Sequence, residues 1–166
     1  ENYFQCKKAF FTSGMAKNAA INADDERAAE LLRDVTIPHM TYGIAAEADL
    51  FARDIEITEN GVSFELRLRN AEYIPINLRM TGMFNVYNAL SAAACALILG
   101  VSPENVRAGL ESIHSVPGRI EMLPTNTPYR VILDYAHAPD ALSNILRTCR
   151  TFTKKRLIAL FGCGGD

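Results

Sequence analysis

A chain of 166 residues corresponds to one domain of ~150 residues or to the joined parts of two. With 49% hydrophobic and 22% charged residues it is an ordinary globular sequence, neither disordered nor fibrous. Seventeen Lys and Arg against 19 Asp and Glu leave a net charge of −2, so no basic field draws it toward nucleic acid.

The longest apolar stretch, Ala89 to Val101, is interrupted by Ser91 and is shorter than the ~20 residues that span a bilayer. The opening residues lack the basic-then-apolar pattern of a secretion signal. Cys6, Cys95, Cys149 and Cys163 form no C-x-x-C pair, which removes the usual zinc and redox spacings and fits free thiols in a reducing compartment. No nucleic-acid partner and no membrane insertion are expected, and the cytoplasm is the expected location.

In chain order, Glu1 to Phe11 places Phe4, Lys7, Lys8 and Phe11 at helical spacing. Ala19 to Ile21 reads as a short strand, and Asp24 or Asp25 as the cap of a helix running through Leu32. His39 to Ile44 is a candidate strand. Arg53 to Thr58 and Val62 to Arg69 flank Glu59-Asn60-Gly61, a hairpin signal. In the second arm Val62, Phe64, Leu66 and Leu68 alternate with polar residues, which gives one buried and one wet face. Tyr73 to Met80 adds a further antiparallel strand.

Phe84 to Leu99 predicts a buried, Ala-rich helix ended by Gly100. Ser102 caps the next helix, with Pro103 in its first turn and an end near Ser112. Val116-Pro117-Gly118-Arg119 breaks the pattern as a linker, dividing the chain into 1–116 and 117–166. Arg130 to Asp134, a helix from Pro139 to Arg150, and Arg156 to Phe161 together predict a β-α-β crossover. The chain then reaches a Gly-rich stretch where a helix would follow, so it reads as an internal piece of a longer protein.

Three places can carry chemistry. Asn85 and Asn88, three residues apart at a helix start, can project two carboxamides that match the N6/N7 edge of adenine. Alternatively, Asn85 caps the helix and Asn88 bonds locally. Asp134, Tyr135 and His137 stand at the carboxyl end of a strand, where α/β sheets bind ligands. There Asp can accept ribose hydroxyls, Tyr can stack and His can donate to phosphate, or Asp134 can simply cap the Pro139 helix. Arg119 suits phosphate oxygens, or pairs with Glu121. Lys7 alone reads as a surface lysine, and His39 and His114 as structural.

The order of these motifs along the chain is more informative than any one of them. Glu1-Asn2-Tyr3 with Lys7, then Asn22-Ala23-Asp24-Asp25, Gly82-x-Phe84-Asn85-x-x-Asn88, Pro117-Gly118-Arg119-x-Glu121, Asp134-Tyr135-Ala136-His137 and Phe161-Gly162-Cys163-Gly164-Gly165-Asp166 resemble the Mur ligase family over essentially the whole chain. Within it they are most similar to the branch that adds the third residue of the peptidoglycan stem peptide.

The resemblance implies an α/β fold: the second half of the family's central ATPase domain, with helices and antiparallel hairpin strands. This half is joined to the first β-α-β unit of a Rossmann-like C-terminal domain. It implies an ATP-dependent amide ligase acting through an acyl phosphate, with Mg²⁺ and three small-molecule substrates: ATP, a diamino acid and a UDP-N-acetylmuramoyl dipeptide. Lys7 would be a carbamylated lysine that ligates Mg²⁺. Asn85 and Asn88 would contact adenine, Arg119 phosphate and Asp134 ribose, with Tyr135 and His137 in the same nucleotide-binding segment.

Departures accompany the match. The family's Gly-Thr-x-Gly-Lys-Thr/Ser loop is absent from these 166 residues, and Ala138 stands where the family often has Thr. Without that loop the γ-phosphate has no cradle, so the 166 residues are expected to be inactive alone. The alternatives are a non-catalytic nucleotide-binding or assembly module, a related ligase such as folylpolyglutamate or cyanophycin synthetase, or a purely structural fragment.

Overall fold

The computed structural model describes residues 2–45, 47–69 and 73–162. Glu1 and most of the Phe161–Asp166 motif lie outside the described residues. The elements are α1 (Asn2–Thr12), β1 (Ala19–Asn22), α2 (Ala28–Asp34), β2 (His39–Gly43), β3 (Leu50–Thr58), β4 (Gly61–Leu68), β5 (Tyr73–Leu78), α3 (Met83–Ile98), α4 (Pro103–Ser112), β6 (Glu121–Leu123), β7 (Val131–Leu133) and α5 (Pro139–Phe152).

Strands β1 to β5 form one sheet in chain order. The first three are parallel, and β3, β4 and β5 meander antiparallel. Parallel neighbours ordinarily need a crossover of a dozen or more residues, yet only residues 44–49 join β2 to β3. The short link suffices because just the last two residues of β2 pair with the first two of β3, Tyr42 with Leu50 and Gly43 with Phe51. The chain steps sideways instead of returning.

Two carboxylates hold that step. Asp49 Oδ2 accepts from the Thr41 hydroxyl at 2.6 Å and from its N–H at 2.9 Å. Asp24 accepts from the N–H groups of Ile44, at 2.6 Å, and Ala45, at 3.1 Å. Asp24 is therefore not the cap of α2. That helix starts at Ala28, after a turn in which Asp25 Oδ1 accepts from Arg27 N at 2.8 Å. Burial raises the Asp49 carboxyl, but the bonds from Thr41, with Arg69 and His39 nearby, hold it below its usual range.

The hairpin forms as the alternation requires: Thr58 pairs with Gly61 around Glu59-Asn60, and Val62, Phe64 and Leu66 are buried while Ser63, Glu65 and Arg67 are not. Helix α3 covers this face. Its inward residues Val86, Leu90, Ala93 and Ala94 are all 0% exposed, and the small side chains let the helix backbone approach the sheet. Gly100, at φ +85°, ends it in a conformation that favours glycine. Ser102 Oγ accepts from Asn105 N, which caps α4.

Residues beyond the linker pack as a second cluster, in which Ile120, Ile145 and Cys149 are buried against Phe84 of α3. Here the structure departs from the expected crossover. Strand β7 pairs antiparallel with β6, a strand too short to stand out in the sequence. Arg156 to Phe161 enters no ladder among the described residues; with no neighbouring strand to pair with, Ile158 is 78% and Leu160 100% exposed.

Gly82 joins the two clusters. It precedes α3 at φ 102°, ψ 146°, a region essentially restricted to glycine. A Cβ there would lie 2.8 Å from Phe84 Cε1 and 3.0 Å from Thr148 Cγ2 of α5. Gly82→Ala is expected to destabilise the chain by about 1–3 kcal/mol, read as a lower urea midpoint; an unchanged midpoint would contradict this packing.

Candidate functional site

The first turns of α3 face the linker across a cavity of about 210 Å³, whose walls include Thr81, Asn85, His114, Arg119 and Ile120. Asn85 is 6% exposed. It does not cap the helix: Gly82 is the N-cap, with no side-chain cap bond. Asn85 Nδ2 donates to Thr81 O at 2.8 Å, and Asn85 Oδ1 accepts from Asn88 Nδ2 at 3.2 Å. Asn88 is exposed.

The opposite wall, which includes Arg119 and Ile120, is held by Asp134. Its Oδ1 accepts from Ala136 N at 2.8 Å and its Oδ2 from Ile120 N at 2.9 Å. It does not cap α5, whose N-cap is Ala138. Ile120 has φ 42°, an unusual conformation for a β-branched residue, and the Asp134 carboxylate holds it there. Tyr135 N donates to Gly118 O at 2.8 Å, tying the linker turn to the end of β7. Burial, then the charge of Asp134, raises the Cys149 thiol behind this wall.

Arg119 is exposed and forms no pair with Glu121, whose Oε2 instead accepts from Gly118 N at 2.8 Å. The Arg119 guanidinium lies over the Tyr135 ring, 5.7 Å from its centroid, and Tyr135 meets His137 edge-on at 5.0 Å. His137 Nδ1 bonds Tyr135 O at 2.9 Å. Asn85 and Arg119 therefore line one cavity; Asn88, Asp134, Tyr135 and His137 lie outside its lining, Asn88 bonded to Asn85 and the other three connected to the linker turn.

Lys7 stands apart. Its Nζ lies 4.7 Å from the centroid of the Tyr3 ring on an exposed face of α1. Among the described residues no three His, Cys, Asp or Glu side chains group to hold a metal ion. Sequence reasoning missed Thr81 and His114. His114 Nε2 accepts from Arg79, 35 residues away, and Thr81 donates its hydroxyl to Thr58 O. No local spacing signals either contact.

The family model for the Mur ligase middle domain matches residues 1–96, and that for the Mur ligase glutamate ligase domain matches 118–166. The UDP-N-acetylmuramoyl-L-alanyl-D-glutamate–2,6-diaminopimelate ligase 1 of Clostridium acetobutylicum is 43% identical over 100% of this chain and 34% of its own length. A solved UDP-N-acetylmuramoyl-L-alanyl-D-glutamate–2,6-diaminopimelate ligase superposes with a TM-score of 0.76 at 28% identity, covering 99% of this chain and 34% of that one. The UDP-N-acetylmuramoylalanyl-D-glutamyl-2,6-diaminopimelate–D-alanyl-D-alanyl ligase of Acinetobacter baumannii gives a TM-score of 0.79 at 26% identity, covering 90% and 33%. The chain spans about a third of the length of the curated relatives it matches. No helix among the described residues is long and apolar enough to cross a membrane.

The turn of α3 that carries Asn88 is also pinned from the sheet side, where Tyr87 Oη donates to Asp24 Oδ2 at 2.9 Å. Burial, then the hydrogen bond and charge of Asp24, push the Tyr87 phenol up to about 12. The phenol is raised in the fold, so its contribution to stability is complete below the ordinary value of 10.0 and is lost as pH climbs toward about 12. A phenolate absorbance titration is expected to show one late-ionising tyrosine that Tyr87→Phe removes; an unchanged titration curve in that variant would contradict the assignment.

Proposed function

The chain belongs to the Mur ligase family, and from that membership we propose that its residues form the adenosine-holding part of an ATP-dependent ligase. The ligase joins 2,6-diaminopimelate to the D-glutamyl carboxylate of UDP-N-acetylmuramoyl-L-Ala-D-Glu. The substrates are those named for the relative 43% identical to it along its full length. The observation that carries the site is the shared cavity, with Asn85 in one wall and Arg119 in the other.

In this reading the D-glutamyl carboxylate oxygen attacks the γ-phosphorus of ATP, giving an acyl phosphate and ADP. The diamino acid's amine then attacks the acyl carbon, and the tetrahedral intermediate collapses to the amide with loss of inorganic phosphate. The amine gives up a proton in that step. What this chain's own residues do is bind and orient. Asn88 offers its carboxamide to the base, and each Asp134 oxygen keeps a lone pair for a ribose hydroxyl beyond the N–H it already accepts. Arg119, steadied on Tyr135, supplies a fork for phosphate oxygens. His137 lies beside that ring as a second donor.

Lys7 is proposed as the carbamylated lysine of the family. One carbamate does not complete an octahedral magnesium shell, and the described residues supply no further cluster. They do not fit the ion by themselves. The cytoplasm remains the proposed location.

Calorimetric titration with Mg·ATP is expected to show saturable binding, weakened roughly tenfold by Asn88→Ala and by Asp134→Asn, in chains shown to be folded by circular dichroism. Affinities unchanged in both variants would refute the site. These residues include no Gly-x-x-x-x-Gly-Lys-Ser/Thr loop, so the chain alone is expected to release no phosphate from ATP above background. Nucleotide binding without turnover is also what a non-catalytic binding module would give. Restoring ligation by supplying the upstream loop separates the two.

A further inference from the structure

Thr81 is 5% exposed and sits between β5 and α3 in the cavity wall. Its hydroxyl donates to Thr58 O at the hairpin turn, and its own carbonyl accepts from Asn85 Nδ2. A carbonyl has no hydrogen to give, so only the nitrogen side of the Asn85 amide can face Thr81. The Asn85 oxygen must then point toward Asn88. That oxygen also only accepts, so Asn88 must turn its nitrogen inward, as the 3.2 Å bond requires. The reverse arrangement would press two oxygens together at a buried position.

Asn88 is left with its oxygen and one N–H directed away from Asn85. It is exposed, and its Oδ1 has no protein partner among the described residues. The relay thus ends at the surface on an oriented acceptor–donor pair, one residue from the cavity wall that Asn85 shares with Arg119.

We propose that Thr81 is a positioning residue for base selection, fixing through Asn85 the face that Asn88 offers so that adenine is accepted and guanine refused. The inference rests on the adenosine reading above. Adenine carries an amine donor at the position where guanine carries the acceptor O6. With the sugar held at Asp134 and the phosphates at Arg119, the base is not free to turn over, and an outward Oδ1 accepts the adenine amine but meets O6 lone pair to lone pair. An amide free to flip could turn its N–H toward O6 and relieve that clash.

The test is titration of the chain with ADP and with GDP, for the unaltered sequence, Thr81→Val and Thr81→Ser. The unaltered chain is expected to prefer ADP by roughly tenfold. Valine keeps the branched shape but removes the donor to Thr58 O, and the preference should fall about fivefold, the weight of one net hydrogen bond; serine should keep it. A lost packing contact alone would weaken both nucleotides together and leave their ratio unchanged.

If Thr81→Val does not fold, Asn85→Leu, which keeps the shape but removes the oxygen that accepts from Asn88 Nδ2, should lose the preference in the same way. A full ADP preference in either folded variant overturns the proposal. Equal binding of the two nucleotides by the unaltered chain also overturns it while leaving the adenosine reading intact. Binding of neither overturns both.

Discussion

The close packing of α3 on the sheet is the constraint on which the other contacts depend. Val86, Leu90, Ala93 and Ala94 are completely buried against the face formed by β1 to β4. Alanines at this seam bring the helix backbone near the strands, where a larger residue would hold it off. Once α3 is fixed in this way, its first turns have no freedom of their own. Phe84 extends from them into the second cluster, Tyr87 reaches Asp24, and Asn85 is held against Thr81. One helix thereby sets both the core and one wall of the cavity.

The opposite wall depends on strain. Ile120 adopts a positive φ that its branched side chain disfavours, and it remains there because its N–H is bonded to Asp134 and its side chain is buried with Ile145 and Cys149. Strained residues cluster where a geometry is needed that ordinary backbone would not supply. Here the strain turns the linker so that Arg119 lies on Tyr135 and borders the same cavity as Asn85. A bidentate pair from Arg130 to Glu59, at the tip of the hairpin, ties the two walls together at the surface. As an exposed pair it contributes little energy.

Local chemistry made several elements legible. Asn60-Gly61 with strict alternation after it specified the β3–β4 hairpin, and Ser102-Pro103 specified the start of α4, because turn and cap signals act within a few residues. The order of motifs was enough to indicate the family, since each motif marks a separate contact of one fold. The contacts of Asp24 were not legible: a carboxylate before a helix is equally suited to capping, and its partners lie 20 and 63 residues away. The same holds for His114 and Arg79. Strand β6 is three residues long and carries no pattern, and Arg156–Phe161 has a strand's composition but no pairing neighbour among the described residues. The asparagines were legible as a pair, but not the inward position of Asn85, which depends on the Thr81 carbonyl that it faces.

The central claim is that the first turns of α3 and the turn at Gly118–His137 are two walls of one adenosine site. Nitrogen–proton correlation spectra of the labelled chain, recorded as ADP is added, test it most directly. The account predicts the largest shifts at the Asn88 side-chain amide, Arg119 and the backbone of Asp134 to His137, moving with one common affinity. Shifts centred instead on the α5 face around Arg147 and Arg150, with the α3 amides unmoved, would contradict it.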